Sequence, residues 1–353
     1  MATQRAIEIK GPRDAQLTTD RHKPSLRNGY ILVKTVAIAL NPTDWKHIDF
    51  MPTAGALPGC DYAGIVEEVG TEVDKPFKKG DRVCGFIHGA NALQIEDGAF
   101  AEYIVAKASI QMAIPEHMTF ETAATLGVAV VTVGQALYQS LQLPLPNAPA
   151  SEPFPVLIYG GSTATGTIAI QFAKLSGATV ITTCSPRNNE LVKALGADAI
   201  YDYRDEACGE EIRAYTSDKL VYALDCISEA SSPRICADAL STDGALTKRY
   251  SSLLGIDDFP RDDVDKKATI AYSAIGEDLS FPGRGLFPAK EEDLHFMTKF
   301  IGIAQELLAE GKIKPHPVSL RPGGLKGVLD GLQDMREGKV SGEKLVYRID
   351  ETP

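Results

Sequence analysis

Apolar and polar residues along the first ~110 positions alternate in short runs that predict β-strands. Turn-forming Gly, Pro and Asp residues divide the runs, as expected for a mostly β domain. The runs lie at 5–9, 30–40, 63–70, 81–86 and 100–106. The spacing then becomes helical over 119–141, with Thr119 as the expected N-cap ahead of Glu121.

A second pattern begins after residue 155. The segment 142–155 holds five prolines and predicts a stiff linker or surface loop. Beyond it, helical stretches separate apolar runs of strand length, which predicts a doubly wound parallel sheet in an α/β fold. The runs lie at 156–161, 178–184, 199–203, 220–226 and 244–250. A long amphipathic helix follows at 291–313, and the chain then returns to strand, helix and strand.

Length and composition narrow the class of protein. A chain of 353 residues predicts two domains. We place the first at 1–141 and 298–353 and the second at 142–297. A net charge of −11 argues against a nucleic-acid or anionic-membrane surface. Without an apolar leader, and with scattered cysteines, the chain is expected to be cytoplasmic. The uncharged stretch near 122–141 suits a buried helix better than a membrane span.

The turn YGGSTATG at 159–166 has the layout of a dinucleotide site. Gly160 and Gly161 end a buried strand, and Gly166 opens a helix where close packing favours a missing side chain. Helix N–H groups and the hydroxyls of Ser162, Thr163 and Thr165 suit phosphate oxygens. A plain tight turn has about the same pattern, so the next strand provides the second test.

The cofactor expected from that second test is NADPH. An NAD site would place Asp or Glu about twenty residues after the glycines, to bind the ribose 2′-hydroxyl. The chain has Ser185 and Arg187 there instead, a hydroxyl and a guanidinium suited to a 2′-phosphate. Arg187 is also compatible with a solvated helix start.

Several strings resemble those of a known enzyme family. ALNPTDWK (39–46), LPGCDYAGIVEEVG (57–70), KKGDRVCG (78–85), GAFAEY (98–103) and AIPEHMTFETAATL (113–126) resemble the medium-chain dehydrogenase/reductase superfamily. Together with YGGSTATGT, TCSPRN, DYR, YALDCIS and SGEKLVYR, the chain is similar to the trans-acting enoyl reductases that serve fungal highly reducing polyketide synthases. The resemblance implies a GroES-like, mostly β catalytic domain beside a Rossmann NADPH-binding domain.

The resemblance also implies the cofactor contacts. The STAT turn itself binds NADPH in that subgroup, and the nicotinamide side is lined by the residues after Pro42. Tyr203, at the start of the third Rossmann strand, would pack on the adenine side, although a core tyrosine fits equally well. The expected cofactor residues are Thr43, Asp44, Trp45, Lys46, Ser162, Thr163, Ala164, Thr165, Ser185, Pro186, Arg187, Asn188, Tyr203, Tyr250, Ser251, Val340 and Ser341.

Two segments are expected to contact substrate. Thr132 resembles a threonine that faces substrate and cofactor, although it also fits a cap at a helix bend. The Gly-, Pro- and aromatic-rich segment 271–288 is a plausible wall for an acyl chain, or an ordinary connection. The expected substrate residues are Thr132, Val133, Gly134, Gln135, Ala136, Leu137, Tyr138, Gln139, Ala271, Tyr272, Ser273, Ala274 and Ile275.

No metal is expected. Zinc-dependent relatives use a Cys and a Gly-His-Glu string, where this chain has Asn41 and Gly59-Cys60-Asp61. Adjacent Cys60 and Asp61 cannot easily face one ion, and no third ligand is apparent. Reduction of a carbon–carbon double bond conjugated to a carbonyl needs no Lewis acid, because hydrogen-bond donors can stabilise the enolate. Lys46 and Thr132 are the candidate catalytic residues, and water is a possible proton donor.

The leading function is an NADPH-dependent enoyl reductase acting in trans on an acyl chain held by a carrier protein. Its partner would be the acyl carrier domain of a polyketide synthase or of a synthase–peptide synthetase hybrid. The alternatives are a quinone or enal reductase with diffusible substrates, and an NADPH-binding sensor or scaffold. Carrier domains are usually acidic, so docking would need a basic patch, for which Lys75, Lys78, Lys79 and Arg82, or Arg321 and Lys326, are candidates. The polar segment after 245 fits a blocked sheet edge and a monomer.

Overall fold

The computed structural model describes residues 2–353 and divides them into two compact units. The first unit comprises the chain up to Val131, Tyr272–Glu310 and Pro315 onward. The second comprises Thr132–Ala271 and Gly311–Lys314.

The chain begins with the β-rich part of the first unit, as its alternating pattern predicts. Helix α1 starts at the N-cap Asn41, whose backbone N–H and side chain complete a capping box with Asp44. Thr119 caps the second helix as expected, because its side chain accepts a hydrogen bond from Thr122 N. The elements are β1 (Thr3–Gly11), β2 (Asp14–His22), β3 (Tyr30–Ala39), α1 (Pro42–Phe50), β4 (Asp61–Val69), β5 (Arg82–Phe86), β6 (Tyr103–Lys107), β7 (Gln111–Ala113), α2 (Phe120–Ala123) and α3 (Gly127–Val133).

The second unit is a doubly wound parallel sheet. A π-helix (Gly134–Ser140) comes first. The strand order β10-β9-β8-β11-β12-β13 places the first strand in the middle and winds outward on both sides, which is the Rossmann arrangement. Its elements are β8 (Phe154–Tyr159), α4 (Ala164–Leu175), β9 (Ala178–Thr183), α5 (Asn189–Ala194), β10 (Ala199–Tyr201), α6 (Cys208–Tyr215), β11 (Tyr222–Asp225), α7 (Ser232–Ala239), β12 (Lys248–Ser252) and β13 (Val264–Ala268).

The chain then returns to the first unit and completes its main sheet. That seven-stranded sheet has the order β16-β17-β3-β4-β5-β7, with β6 also paired to β3. The returning elements are β14 (Leu279–Phe281), β15 (Gly285–Phe287), α8 (Glu291–Ala309), β16 (Val318–Arg321), α9 (Gly324–Arg336) and β17 (Lys344–Arg348).

Some features differ from the sequence expectations. The predicted domain limits at 141/142 and 297/298 differ from the observed limits at 131/132 and 271/272, and residue 297 lies inside α8. The proline-rich segment follows a helical stretch that already belongs to the second unit. Strands β2 and β13 have too few apolar residues to be predicted, since most of their side chains are exposed or half-buried.

Residues Phe120–Ser140 are long and apolar enough to span a membrane, but 78% of that stretch is buried inside the protein. Its helices pack in the core, as expected of the uncharged stretch.

A buried ion pair joins three neighbouring strands of the first unit. The Lys344 ammonium at the start of β17 contacts Asp61 Oδ2 at the start of β4, and their side chains are 3% and 0% exposed. Lys344 also donates to Asn41 Oδ1 at 2.9 Å, and Asn41 Nδ2 donates to Asp61 Oδ2 at 3.0 Å. Val128 N, in the first turn of α3, donates to Asp61 Oδ1 at 2.6 Å. Each buried polar group therefore has a partner of opposite character.

Replacement of Lys344 by Met should lower the free energy of unfolding by about 3–5 kcal/mol, because Asp61 would remain buried without its counter-ion. A urea titration measures the change. The exposed Lys339→Met provides the control, with an expected change of about 0.5 kcal/mol or less. Adding Asp61→Asn to Lys344→Met should recover part of the loss, and a double variant less stable than Lys344→Met would contradict this explanation.

Candidate active site

The glycine turn of the second unit lies between β8 and α4. Gly160 has φ +80°, and a Cβ on Gly161 would lie 2.0 Å from Thr182 Oγ1. A Cβ on Gly166 would lie 2.3 Å from Gly160 O, which bears out the expected close packing. Thr163 is the N-cap of α4, because its Oγ1 accepts a hydrogen bond from Gly166 N at 2.9 Å. Ser162, Ala164 and Thr165 are half-buried beside it, at the positive end of a twelve-residue helix.

A pocket of about 360 Å³ opens beyond the next two strands of this unit. It is lined by Ser185, Pro186 and Arg187 after β9, and by Tyr203 and Arg204 after β10. Ser185 Oγ and Tyr203 Oη lie 3.3 Å apart. Within residues 2–353 the exposed Arg187 makes no ion pair, whereas Arg204 pairs with Asp202 at 2.6 Å. The carboxyl ends of parallel strands are where such sheets bind ligands, and the two guanidinium groups suit an anion.

The sequence suggested that Tyr203 starts the third strand of this sheet, but the structure places it elsewhere. β10 ends at Tyr201, and Tyr203 lies in the turn after it, 37% exposed. The tyrosine of a core strand would be buried. Its position on the rim of the pocket brings it together with Ser185 and Arg187. Asn188, in the same 3₁₀ turn as Arg187, follows the pocket-lining residues.

The other expected ligand residues of the second unit lie mostly in its interior. Tyr250 is 1% exposed and donates to Asp225 Oδ2 at 2.8 Å, and Ser251 Oγ lies 3.0 Å from Thr269 Oγ1. Thr132 is 6% exposed near the end of α3, where the helix changes to the π form. The Tyr138 hydroxyl lies 3.0 Å from Ser176 Oγ, inside the unit. The buried residues of the stretch also include Val133, Gly134, Gln135, Ala136 and Leu137, whereas Gln139 is half-buried.

In the first unit, the N-terminal turn of α1 meets the segment after Ala271. Thr43 Oγ1 lies 2.6 Å from Tyr272 Oη and 3.1 Å from His47 Nδ1. His47 Nδ1 is also 2.9 Å from the Thr43 carbonyl oxygen. Lys46 is half-buried, with its ammonium 5.8 Å from the centre of the Trp45 ring. The structure thus brings Thr43 together with Tyr272, which the sequence had placed in separate cofactor and substrate sets.

Aromatic rings surround the Tyr272 side chain. The ring centres of Phe86, His88 and Phe281 lie 5.6, 4.5 and 5.6 Å from that of Tyr272. Burial lowers the pKa of His88 to about 3, so its imidazole is neutral at physiological pH. Burial is also the largest cause that raises the pKa of Tyr272 well above its ordinary value, which keeps its hydroxyl protonated.

Asp44 lies behind this turn with its carboxyl fully enclosed. Its Oδ2 accepts a hydrogen bond from Asn41 N at 2.7 Å, and burial raises its pKa to about 7. As part of the capping box, Asp44 fixes the start of α1. Ala271–Ile275 form a 3₁₀ turn in which Tyr272, Ser273, Ala274 and Ile275 are buried. Val340 is half-buried and Ser341 is exposed, shortly before Lys344.

The fold and these sites agree with comparisons to known proteins. Residues 27–116 match the alcohol dehydrogenase GroES-like domain, and residues 164–248 match the zinc-binding dehydrogenase model. The chain is 49% identical to the trans-enoyl reductase resD of Aspergillus sclerotiorum, over 98% of this chain and 99% of that protein. It is 54% identical to the trans-enoyl reductase TOXD of Cochliobolus carbonum, over 78% of this chain and 92% of that protein.

The chain belongs to the trans-enoyl reductase family. This family lies within the medium-chain dehydrogenase/reductase superfamily, as the resemblance of the sequence motifs indicated. Among solved structures, an alcohol dehydrogenase superfamily protein from Novosphingobium aromaticivorans matches with a TM-score of 0.80 at 22% identity, over 98% of this chain and 99% of that one. That likeness supports the two-domain fold. Members of the superfamily bind a nicotinamide cofactor.

The zinc of the matching dehydrogenase model does not fit this trans-enoyl reductase. At the positions compared with zinc ligands, Asn41 and Asp61 bind the Lys344 ammonium, so a fixed cation already neutralises Asp61. Cys60 points elsewhere, with Sγ 3.7 Å from Tyr272 Oη. Burial raises the pKa of the Cys60 thiol well above its ordinary value, so the thiol is protonated beside Tyr272. Among residues 2–353, no three His, Cys, Asp or Glu side chains are grouped to hold a metal.

Sequence reasoning missed Arg204 and Lys344. Arg204 is the last residue of the DYR string, and its distance from Arg187 along the chain hid their common pocket. Lys344 lies within the SGEKLVYR string but 283 residues from Asp61, so no local pattern joins them. In both cases the signal would have been a basic residue beside a strand end in an otherwise acidic protein.

The contribution of His88 to the stability of the first unit should fall on acidification, because its ring is buried without charge. Its folded pKa lies below the unfolded value of about 6.5, so this contribution is fully present above that value and decreases as pH falls toward 3. Between pH 7.5 and pH 5.0 the contribution is about 2 kcal/mol. His88→Gln should remove that part of the pH dependence in urea titrations, whereas the exposed His117→Gln should leave it unchanged. Equal slopes for all three proteins would contradict the assignment.

Proposed function

We propose that the protein is an NADPH-dependent enoyl reductase that acts in trans on a polyketide acyl thioester held by a carrier protein. The identity of 49% to a trans-enoyl reductase over 98% of the chain carries the reaction class. The pocket with Arg187 and Arg204 supports the choice of NADPH, since two guanidinium groups with the Ser185 hydroxyl suit a 2′-phosphate. Asp202 balances the charge of only one of the two arginines, Arg204. The side chains that line the pocket therefore keep a net positive charge.

The pyrophosphate of the cofactor would be held by the turn before α4. Ser162 and Thr165 provide hydroxyls, Ala164 leaves the backbone accessible, and the N-terminal turn of α4 provides N–H donors. Thr163 accepts a hydrogen bond from Gly166 N, so its hydroxyl fixes the start of α4.

The bound cofactor supplies a hydride to the β-carbon of the conjugated thioester. The chain must then stabilise negative charge on the thioester oxygen until the α-carbon is protonated. Thr43, Lys46 and Thr132 are the proposed donors. Thr43 and Lys46 are half-buried and Thr132 is buried, so their polar groups would act in surroundings with little water.

The acyl chain would contact the stretches 132–139 and 271–275. These segments combine buried apolar side chains with few charges, as an alkyl chain requires. Trp45, Tyr250, Ser251, Val340 and Ser341 complete the proposed cofactor environment.

The chain's own groups engage the first basic cluster seen in the sequence, so its side chains are not available as a ready-made docking patch for a carrier domain. Lys78 and Lys79 pair with Asp81 and Glu67 at 2.9 and 3.1 Å. The Lys75 ammonium donates to Gln111 O at 2.6 Å. Arg82 donates to Met118 O, also at 2.6 Å. We therefore propose that the carrier domain docks mainly through uncharged contacts.

We also propose that the enzyme is a cytoplasmic monomer. The exposed charged side chains of the edge strand β13 support the monomer.

Replacement of Arg187 by Ala should raise the KM for NADPH about tenfold. The reason is that one charge-assisted hydrogen bond from the guanidinium to the 2′-phosphate is lost. The KM for NADH should change less than twofold, since NADH has no 2′-phosphate. Steady-state kinetics with both cofactors measures the ratio. Arg234→Ala, an exposed arginine paired with Asp238 in the same unit, is the matched control. Equal effects on both cofactors would remove the support for NADPH.

The reaction class is tested by NADPH consumption with an α,β-unsaturated acyl pantetheine thioester beside a small quinone at equal concentration. We expect thioester turnover to the saturated product and little quinone reduction. Fast quinone reduction with an inert thioester would instead establish the quinone-reductase alternative. Lys46→Ala should lower turnover while NADPH binding persists. If the wild-type protein bound NADPH but turned over no substrate, that result would support the alternative of an NADPH-binding sensor or scaffold.

A further inference from the structure

We propose that Tyr272 is a positioning residue that fixes the Thr43 hydroxyl as a hydrogen-bond donor toward a ligand carbonyl oxygen. The inference rests on the proposed function, because it requires a bound ligand beside Thr43. The ligand oxygen belongs either to the nicotinamide carboxamide or to the acyl thioester, and both are carbonyl acceptors.

The first step is the tautomer of His47. Its Nδ1 lies 2.9 Å from the Thr43 carbonyl oxygen, which can only accept a hydrogen bond. Nδ1 must therefore carry the proton. Burial lowers the pKa of His47, so the ring is neutral and its Nε2 is unprotonated. The same N–H is shared with Thr43 Oγ1 at 3.1 Å, which makes that oxygen an acceptor.

The second step is the direction of the hydrogen bond between Tyr272 and Thr43. Their oxygens are 2.6 Å apart, and the other neighbour of the tyrosine oxygen is Cys60 Sγ at 3.7 Å. If Thr43 donated, Tyr272 would have to donate to a distant sulfur, which is a weak acceptor. A phenol is also a stronger acid than an alkyl alcohol. Tyr272 therefore donates to Thr43.

The third step follows from counting the lone pairs of Thr43 Oγ1. Tyr272 and His47 occupy them as donors, so the Thr43 proton has no acceptor among these neighbours. Thr43 is half-buried, unlike Tyr272 and His47, which are 9% and 4% exposed. Its proton is consequently directed toward the open side.

A double-mutant cycle distinguishes this role from a packing effect. Thr43→Val should lower kcat with the thioester about tenfold, because the hydrogen-bond donor is lost. Tyr272→Phe should lower kcat about threefold, because the donor remains but its orientation is no longer fixed. If Tyr272 acts through Thr43, the double variant should be no slower than Thr43→Val alone. Thr43→Ser should retain most activity. Tyr62→Phe, which removes a buried hydroxyl bonded to Gln111 at 2.9 Å in the same unit, should leave kcat unchanged.

The dissociation constant for NADPH, measured by fluorescence without acceptor, forms a second cycle independent of turnover. Coupling in this constant would assign the carboxamide as the ligand of Thr43, and coupling in kcat alone would assign the thioester carbonyl. Additive effects of the two substitutions in both cycles would overturn the proposal. If the wild-type protein reduced only a quinone, the proposed function would fail, and the same cycle on quinone reduction would still decide the role of Tyr272.

Discussion

The pairing of Asp61 with Lys344 holds together the part of the first unit that carries α1. Two opposite charges in a nearly water-free interior are stable only when both are hydrogen-bonded as well as paired, and Asn41 and Val128 complete those bonds. Asn41 is also the N-cap of α1, so the charge pair fixes the direction in which the helix leaves the sheet. The position of Thr43, two residues later, depends on it.

A fixed ammonium beside Asn41 and Asp61 gives this region a different chemistry from that of a metal centre. A metal polarises its ligand directly, whereas the Lys344 ammonium is enclosed and acts by holding neighbouring groups. In the mechanism proposed above, charge stabilisation then comes from hydrogen-bond donors, among them neutral hydroxyl groups. The group around Thr43 consists of such donors, and the buried, uncharged His47 and His88 keep it free of competing charge.

The sequence predicts the repeating elements well because their periodicity is local. The strands of the parallel sheet, the cap at Thr119 and the close contact at Gly166 all follow from neighbours within a few residues. The long-range groups do not. Thr43 and Tyr272 are 229 positions apart, and only the folded chain shows that they share a hydrogen bond. β13 was missed because an exposed edge strand needs no apolar alternation, and Tyr203 was misplaced because aromatic residues suit both strands and pocket rims.

The distance of 283 residues between Asp61 and Lys344 has a consequence for biosynthesis. The ribosome delivers Asp61 early and its counter-ion only after the whole second unit has been made. The strand pairing of β3 with β4 can form on the ribosome, but burial of Asp61 cannot be completed until β17 arrives. The sheet of the second unit comes from one continuous stretch of the chain. The second unit can therefore fold before β17 has been synthesised. Completion of the first unit around Asp61 therefore requires the synthesis of β17, which carries Lys344.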